Sequence, residues 1–280
     1  MMVHRRCPMK QNLHTHSTYC DGNDSLEDMI QSAIEKHFDI LGFSGHGYVD
    51  YDDYAMTLEG TKQYIQEVNA LKKKYAGKIQ IFLGIEVDSL CRIPDKSPYD
   101  YMIGSVHSIK KGNEVFAVDY TREIFNSYLN KWYQGDFLSL ARDYYASYHD
   151  LKTWEEIDII GHLDLLTKFN EDESYIRFDD PTYIRIATDA IDDIGTDKIY
   201  EVNTGAIARG YRKTPYPSYN LLCYLKEKKA RFMLSSDCHN KSDLDCYFSE
   251  SLELIKKAGI KTLWILTNQG FEERDIELFG

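Results

Sequence analysis

Residues 12–17 read N-L-H-T-H-S and suggest a short strand that ends in two histidines. Side chains alternate between the two faces of a strand, so His14 and His16 should project from one face and start roughly 7 Å apart. Imidazole rings placed in this way can bind one metal ion together. A single pair of this kind also arises by chance, so it indicates a metal site only if other candidate ligands lie near it.

Six further β-rich runs follow along the chain, and helical runs separate most of them. The predicted strands are Asn12–His14, Ile40–Ser44, Ile79–Val87, Tyr101–Val106, Ile157–Gly161, Ile199–Asn203 and Phe232–Ser235. The predicted helices are one that Ser25 caps, with an apolar stripe from Leu26 to Ile34, and Thr57–Tyr75, Pro181–Ile194, Tyr219–Lys229 and Glu250–Ala258. This alternation predicts an α/β fold with mainly parallel strands and outer helices, which a barrel or a doubly wound sheet would satisfy equally.

The segment 110–156 interrupts this alternation and is rich in Tyr and Trp. We expect it to form a helical insertion after the fourth strand of a single domain, residues 1–280, because no Gly/Ser-rich linker or repeat divides the chain. Its tyrosines could line a substrate pocket, but aromatic residues at helical spacing more often pack in a core. We favour core packing for Tyr128, Tyr133, Tyr144, Tyr145 and Tyr148.

The net charge of the chain restricts its partners. The 280 residues carry a formal net charge of −12, which would repel a phosphate backbone, so we expect no duplex nucleic acid as a partner. Attraction of an anionic substrate would require a local positive feature such as bound metal.

The amino-terminal residues and the cysteines give no sign of export. No apolar run follows Arg5, Arg6 and Lys10, so we expect neither a signal peptide nor a membrane-spanning helix, and we expect a cytoplasmic location. The six cysteines are scattered without a C-x-x-C pair. This spacing argues against a zinc ribbon or a disulfide framework and predicts free thiols.

Ligand-type side chains stand at or just after the ends of six of the seven predicted strands: His14, His16, His46, Glu86, His107, His162, Asp237 and His239. Parallel α/β folds form their sites at this edge of the sheet. A lone histidine there is more often an ordinary loop residue, but the whole set favours a metal site. Asp21 adds a carboxylate, although Asp21-Gly22 is also an ordinary turn and Cys20 is a possible soft ligand.

These donors suit zinc, manganese or iron, and the sequence does not rank the three metals. Nine ligands exceed the needs of one ion, whereas two or three divalent ions bridged by Glu86 would use them all. Such a site would be positively charged and would fit a phosphate dianion. Metal-activated hydroxide would then hydrolyse a phosphoester, and we expect Glu86, Asp237 and His239 to take part in this catalysis.

The motifs resemble the PHP (polymerase and histidinol phosphatase) superfamily over nearly the whole chain. They are L-H-T-H-S at 13–17, G-H at 45–46, Glu86, S-V-H at 105–107, G-H at 161–162 and S-D-C-H at 236–239. The runs Asp158–Asn170 and Glu201–Ser218 resemble the histidinol-phosphatase branch in particular.

This resemblance implies a distorted (β/α)7 barrel that carries a trinuclear metal cluster. It assigns His14, His16, Glu86 and Asp237 to one ion, Glu86, His107 and His162 to the second, and Asp21, His46 and His239 to the third. It also implies a small phosphorylated substrate, with hydrolysis of L-histidinol phosphate to L-histidinol and phosphate in histidine biosynthesis.

Three cationic residues are candidates for binding that substrate. Arg209 and Arg212 lie in the loop after the sixth strand, and Lys168 follows the strand that precedes His162. The forked guanidinium group of an arginine can clamp phosphate oxygens, and we assign this role first to Arg209. For Arg212 and Lys168, an exposed loop position is an equally good interpretation.

Two features near His46 bear on the substrate and on the ligand itself. The acidic, Tyr-rich segment His46–Asp53 could meet the amino end of a cationic substrate, although a solvated loop is the simpler interpretation. Gly45 stands where the resemblance predicts an acidic residue, so a side chain that could orient His46 is missing at this position.

Two other functions remain open. A PHP phosphoesterase could act on a different phosphomonoester or on a short oligonucleotide, although the charge of the chain argues against a long nucleic acid. A non-catalytic metal-binding protein would keep the ligands but would not need the arginine loop beside them. The sequence does not indicate the oligomeric state.

Overall fold

The computed structural model describes residues 8–91 and 95–279. Its first half contains β1 (Gln11–Asn12), α1 (Leu26–Glu35), β2 (Ile40–Phe43), α2 (Leu58–Lys74), β3 (Gln80–Asp88), β4 (Tyr101–Ser105), β5 (Ser108–Lys111), β6 (Glu114–Ala117), α3 (Arg122–Tyr133) and α4 (Phe137–Ala146). Its second half contains α5 (Tyr148–Thr153), β7 (Ile159–Ile160), α6 (Pro181–Ile194), β8 (Ile199–Asn203), α7 (Gly205–Ala208), α8 (Tyr219–Glu227), β9 (Arg231–Ser235), α9 (Phe248–Lys257), β10 (Thr262–Thr267) and β11 (Gly270–Asp275).

Seven parallel strands form one sheet in the order β1-β2-β3-β4-β7-β8-β9. The first and last strands approach each other just beyond their ends, where the backbone N–H of His16 donates to the carbonyl oxygen of Cys238 at 2.9 Å. Thr15 and Cys238 form an isolated parallel bridge at the same place. The sheet is therefore a nearly closed (β/α)7 barrel rather than a doubly wound sheet, and each predicted strand overlaps one of its seven strands.

The outer helices follow from capping residues and apolar stripes in the sequence. Ser25 caps α1 by accepting a hydrogen bond from the backbone N–H of Asp28 at 3.1 Å. Asp180 caps α6 in the same way, and Pro181 occupies the first helical position, where its missing N–H costs nothing. The predicted stripe of α1 is buried at Leu26, Met29, Ile30 and Ala33. Each helix thus presents one apolar face to the interior.

The inserted segment begins as a β hairpin and continues as helices. β5 pairs with β6 in antiparallel register, from Ser108 opposite Ala117 to Lys111 opposite Glu114. The three helices α3, α4 and α5 follow. Of the tyrosines in this segment, Tyr133, Tyr144, Tyr145 and Tyr148 are buried, and Tyr128 packs partly buried against the core. Their predicted role in core packing is confirmed.

A second antiparallel hairpin, β10–β11, follows the last barrel strand and was not predicted. The side chain of Gln11, in β1, forms two hydrogen bonds with this hairpin. Its Nε2 donates to the carbonyl oxygen of Trp264 at 3.2 Å, and its Oε1 accepts from the backbone N–H of Leu266 at 2.7 Å. The hairpin therefore lies against the short first strand, close to where the barrel closes.

Five of the six cysteines lie within the described residues. Cys20, Cys91, Cys223, Cys238 and Cys246 are free thiols, as predicted. Cys7, Arg5 and Arg6 lie outside the described residues. Among the helices of the described ranges, none combines the length and the apolar character that a bilayer crossing requires.

Candidate metal centre and active site

Nine side chains with metal-binding atoms meet at the carboxyl ends of the barrel strands. They form four overlapping groups, and within each group the candidate ligand atoms lie within 4.8 Å of one another. The groups are His16, Asp21, His46 and His239; His14, His16 and Asp237; His14, Glu86 and His162; and His46, Glu86 and His107. The fold therefore brings together every residue that the sequence suggested as a ligand.

Glu86 lies at the centre of this arrangement, where β3 approaches its end, and its side chain is fully buried. Its two carboxylate oxygens lie 3.0–3.4 Å from one ring nitrogen on each of four histidines: His14, His46, His107 and His162. Ser105 donates a hydrogen bond to Oε1 at 2.6 Å. The position of Glu86 between two groups is the geometry that a bridging carboxylate requires.

His16 lies between two carboxylates. Its Nε2 is 3.1 Å from Oδ1 of Asp237, and its Nδ1 is 3.5 Å from Oδ1 of Asp21. Asp21 also lies 3.7 Å from Nε2 of His46 and 3.1 Å from Nε2 of His239. The family resemblance implied a group of Asp21, His46 and His239, and the structure adds His16 to that group.

Several buried atoms in the site lack hydrogen-bond partners in the described structure. These atoms include Nε2 of His14, Nε2 of His16 and Oε2 of Glu86. Oε2 of Glu86 lies 3.2 Å from Nε2 of His14 and 3.6 Å from Nε2 of His16. Leaving buried polar atoms unsatisfied is costly, and a cation placed among them would satisfy all three. The residues present therefore fit a divalent metal ion.

The protonation states of His16, Glu86 and Asp237 suit metal binding. Burial lowers the pKa of His16 to about 3, and the neighbouring rings of His239 and His46 add to the effect. His16 is therefore neutral at physiological pH, the form in which imidazole binds a metal. Burial raises the pKa of the Glu86 and Asp237 carboxyls, but nearby positive charges outweigh burial and hold both well below the usual value.

Glu201 belongs to the site although the sequence analysis missed it. It is buried in β8, where its Oε1 lies 2.6 Å from Nδ1 of His14 and its Oε2 accepts from the backbone N–H of His162 at 2.8 Å. Burial lowers the pKa of His14, but the charges of Glu201, Glu86 and Asp237 outweigh it and raise that pKa well above its usual value. An acidic residue inside an otherwise apolar strand was the available signal.

Asp88 is a second carboxylate that the sequence analysis missed. Its Oδ2 lies 3.2 Å from Nδ1 of His107 and accepts from the backbone N–H of the same residue at 2.9 Å. Its Oδ1 accepts from the hydroxyl of Tyr51 at 2.9 Å. Asp88 follows Glu86 by two residues in β3, and this spacing could have indicated that both face the site.

Cys20 and Gly45 form a close contact behind His16. Sγ of Cys20 lies 3.5 Å from Nδ1 of His16, but burial raises the pKa of this thiol to about 12. Among the described residues, Asp21 belongs to a group of candidate metal ligands and Cys20 belongs to none, which favours Asp21 as the ligand. A Cβ atom on Gly45 would lie 3.1 Å from Sγ of Cys20. The acidic residue expected at position 45 would therefore crowd Cys20, and His46 is oriented through its contact with Glu86 instead.

Arg209 is the cationic candidate that contacts a predicted ligand. It follows α7, and its Nη1 donates to the carbonyl oxygen of Asp237 at 2.9 Å while its Nη2 lies 3.1 Å from Oδ2 of the same residue. Its side chain is 29% exposed. Nη1 also lies 3.2 Å from Nδ1 of His239, so the guanidinium group lies at the edge of the metal centre.

Arg212 and Lys168 are buried rather than exposed. The guanidinium group of Arg212 donates to Oγ1 of Thr167 and lies 4.9 Å from the ring centres of both Phe178 and Tyr216. Lys168 donates from Nζ to the carbonyl oxygen of Asp119 at 2.5 Å. The alternative of exposed loop residues is wrong for both, because only 4% of Arg212 and 8% of Lys168 are accessible.

Residues 12–205 match the PHP domain family. This span includes more than half of the chain and most of the barrel strands. The chain belongs to the PHP family.

Similar proteins extend the comparison to nearly the full chain. A histidinol-phosphatase of Bacillus subtilis is 25% identical to this PHP chain over 268 residues, which cover 87% of the chain and 98% of the relative. This confirms the predicted resemblance to the histidinol-phosphatase branch.

Two crystal structures share the PHP fold of this chain. One is a protein of Listeria monocytogenes, with a TM-score of 0.73, 21% sequence identity and coverage of 86% of this chain and 99% of the other. The second is histidinol phosphate phosphatase of Lactococcus lactis in complex with zinc, L-histidinol and phosphate, with a TM-score of 0.67 and 22% identity. The similarity covers 94% of this chain and 98% of the Lactococcus lactis chain. Both confirm the barrel architecture.

Proposed function

We propose that this PHP protein hydrolyses L-histidinol phosphate to L-histidinol and phosphate at a centre of three divalent metal ions. The class of enzyme, a phosphomonoester hydrolase, is confirmed by its full-length histidinol-phosphatase relatives. The observation that carries the specific proposal is the convergence of four donor groups on Glu86 and His16, with Arg209 beside them. Support for the substrate comes from the Lactococcus lactis protein, which binds zinc, L-histidinol and phosphate.

In the structure, Glu86 belongs both to the group with His14 and His162 and to the group with His46 and His107. The resemblance to the PHP superfamily implies how the ligands would be shared among the ions. His14, His16 and Asp237 would hold one ion, and Glu86 would contribute to this ion and to a second one held with His107 and His162. Asp21, His46 and His239 would hold the third. Bound divalent cations, with zinc, manganese and iron as candidates, supply Lewis acidity towards phosphate oxygens and lower the pKa of water.

The protein itself would bind and orient the phosphate. Arg209 already donates two hydrogen bonds to Asp237, and these contacts hold its guanidinium plane at the edge of the centre. Its remaining N–H donors would bind phosphate oxygens, and together with bound cations they would attract an anion to a chain with a net charge of −12. Asp237 lies between His16 and Arg209, so we expect its carboxylate to hold a metal ion and the guanidinium group of Arg209 in fixed relative positions.

We also propose a setting for this reaction. The chain would act as a single domain in the cytoplasm, with the inserted segment 110–156 packed beside the barrel. Its product, L-histidinol, would be used in histidine biosynthesis.

Phosphate release by the purified protein tests the proposal. The assay would add zinc, manganese or iron and compare L-histidinol phosphate with 4-nitrophenyl phosphate, glycerol phosphate and a short oligonucleotide. We expect L-histidinol phosphate to give the highest kcat/KM. Asp237→Asn should abolish release, whereas Asp197→Asn, at an exposed carboxylate, should not change it. Equal or faster turnover of another substrate would contradict the named reaction but not the phosphatase class.

A further inference from the structure

Asp119 places a carboxylate next to the metal centre, and none of the candidate metal groups includes it. It follows β6 of the inserted hairpin. The backbone N–H of the preceding residue, Val118, donates to the carbonyl oxygen of His107 at 2.8 Å. The hairpin thus fixes Asp119 beside a candidate metal ligand, and its side chain remains 26% exposed.

The side chain of Lys168 contacts Asp119. Its Nζ contacts the carbonyl oxygen of Asp119 at 2.5 Å and lies 3.4 Å from Oδ2. Within residues 8–91 and 95–279, Lys168 is the one cation that forms an ion pair with Asp119. This lysine belongs to the loop that carries His162. Asp119 therefore lies between the loops that carry His107 and His162, and about a quarter of its side chain remains exposed.

A carboxylate in this place repels a phosphate dianion and attracts a cation, and its Oδ2 already lies 3.4 Å from Nζ of Lys168. Burial raises the pKa of Asp119, but the charges of Lys168, His107 and His162 outweigh it and lower that pKa below its usual value. Asp119 is thus ionised at neutral pH. A substrate with a phosphate at one end and an ammonium group at the other would match the charges of both Arg209 and Asp119.

We propose that Asp119 binds the ammonium group of the substrate and thereby selects aminated phosphate monoesters over neutral ones. This inference rests on the proposed phosphatase function. In a phosphorylated 2-amino alcohol, the ammonium group is only two carbons from the ester oxygen. Its partner must therefore lie close to the metal centre, as Asp119 does.

The acidic segment after β2 is a weaker candidate for this role. Asp50, Asp52 and Asp53 are exposed on the surface. The hydroxyl of Tyr51 is bound to Asp88. An exposed carboxylate surrounded by water binds an ammonium group weakly, whereas a partly buried one competes less with solvent.

Substrate selectivity tests this role directly. The kcat/KM values of Asp119→Asn would be measured with L-histidinol phosphate and phosphoethanolamine, which carry an amine, and with propyl phosphate, which does not. We expect the ratio of aminated to neutral kcat/KM to fall at least about tenfold, mainly through KM. Asp119→Glu should restore part of the ratio. The matched control is Glu123→Gln, at an exposed carboxylate in the first turn of α3, which should keep the wild-type ratio.

Binding of L-histidinol, measured by calorimetry, supplies a second readout that does not depend on turnover. We expect its affinity to fall about tenfold in Asp119→Asn and to be unchanged in Glu123→Gln. An unchanged ratio with unchanged L-histidinol affinity would overturn the inference. Equal losses for aminated and neutral substrates would also overturn it and would indicate a structural or proton-transfer role. If the wild-type enzyme released phosphate from none of these esters, the proposed function would fail instead, and the calorimetric comparison would still test Asp119.

Discussion

Nδ1 of His14 lies 2.6 Å from Oε1 of Glu201, and both side chains are fully buried. This contact determines which nitrogen of His14 faces the centre. With Nδ1 bound to Glu201, Nε2 is directed at Glu86 and Asp237, at 3.2 Å and 3.6 Å. A carboxylate behind a metal-binding histidine fixes the ring orientation and raises its basicity. Glu201 therefore directs Nε2 of His14 towards a metal ion without binding that ion itself.

Replacement of Glu201 by Gln should lower metal affinity about 10–100-fold, because the shape of the side chain is kept while its charge is lost. Competition with a chelator of known affinity would measure the change. Glu227→Gln, at an exposed position of α8, is the matched control. Unaltered metal affinity in Glu201→Gln would show that the contact with His14 is only structural.

Glu86→Ala should remove both activity and bound metal. Its carboxylate is the one acidic group shared by the two groups that contain His162 and His107. Metal analysis of the dialysed variant, alongside phosphate release, would measure both effects, again with Glu227→Gln as the control. Full retention of metal and activity would exclude a centre bridged by Glu86.

The barrel could be predicted because each of its strands is a short apolar run between helical stretches. The ends of the strands were harder to predict. His14 was assigned to the first strand, but β1 ends at Asn12, because the side chain of Asn12 accepts the backbone N–H of His14 at 3.1 Å. The β5–β6 hairpin was missed although Gly112, with a positive φ of 61°, and Asn113 form a two-residue turn.

The ligands could be predicted because strand ends of parallel sheets converge on one edge. Their supporting carboxylates could not, because such partners are set by packing between distant parts of the chain. Glu201 is 187 residues from His14, and no spacing links the two. For Arg212, it was the burial of the side chain that could not be predicted. Its loop position suggested the surface, but contacts with Thr167 and two aromatic rings bury it.

Arg209→Ala should raise KM for the phosphorylated substrate while the metals remain bound. Loss of a charge-assisted contact to phosphate costs roughly 1.5–3 kcal/mol, or about 10–150-fold in kcat/KM. Steady-state kinetics and metal analysis would separate the two effects, and Arg209→Lys should give a smaller loss. Arg185→Ala, at an exposed position of α6, is the control. Loss of metal from Arg209→Ala would contradict its role as a phosphate ligand.

Arg212→Met should destabilise the fold rather than weaken substrate binding. The guanidinium group lies buried between Phe178 and Tyr216, and Nε is 3.7 Å from Oε2 of Glu171. Loss of the charge-assisted hydrogen bond from Arg212 to Thr167 costs roughly 1.5–3 kcal/mol. Urea unfolding would measure the loss, and KM should stay near the wild-type value below the transition. Unchanged stability with a raised KM would instead show that Arg212 reaches the phosphate.

Asp245→Asn should lower stability in a pH-dependent way. Asp245 accepts from Nζ of Lys10 at 2.8 Å and from Nζ of Lys36 at 2.7 Å, and so joins three separate parts of the chain. Burial raises the pKa of Asp245, but the two lysines outweigh burial and lower it.

Because this pKa is lower in the folded state than in the unfolded state, ionised Asp245 stabilises the fold above the unfolded pKa of about 4. The contribution is lost as the pH falls through the folded pKa. The difference in unfolding free energy between wild type and Asp245→Asn should be about 1 kcal/mol at pH 7 and should shrink towards pH 3. Urea titrations at both pH values would measure it, with Asp197→Asn as the exposed control. A difference independent of pH would show that the charge of Asp245 is not what stabilises this contact.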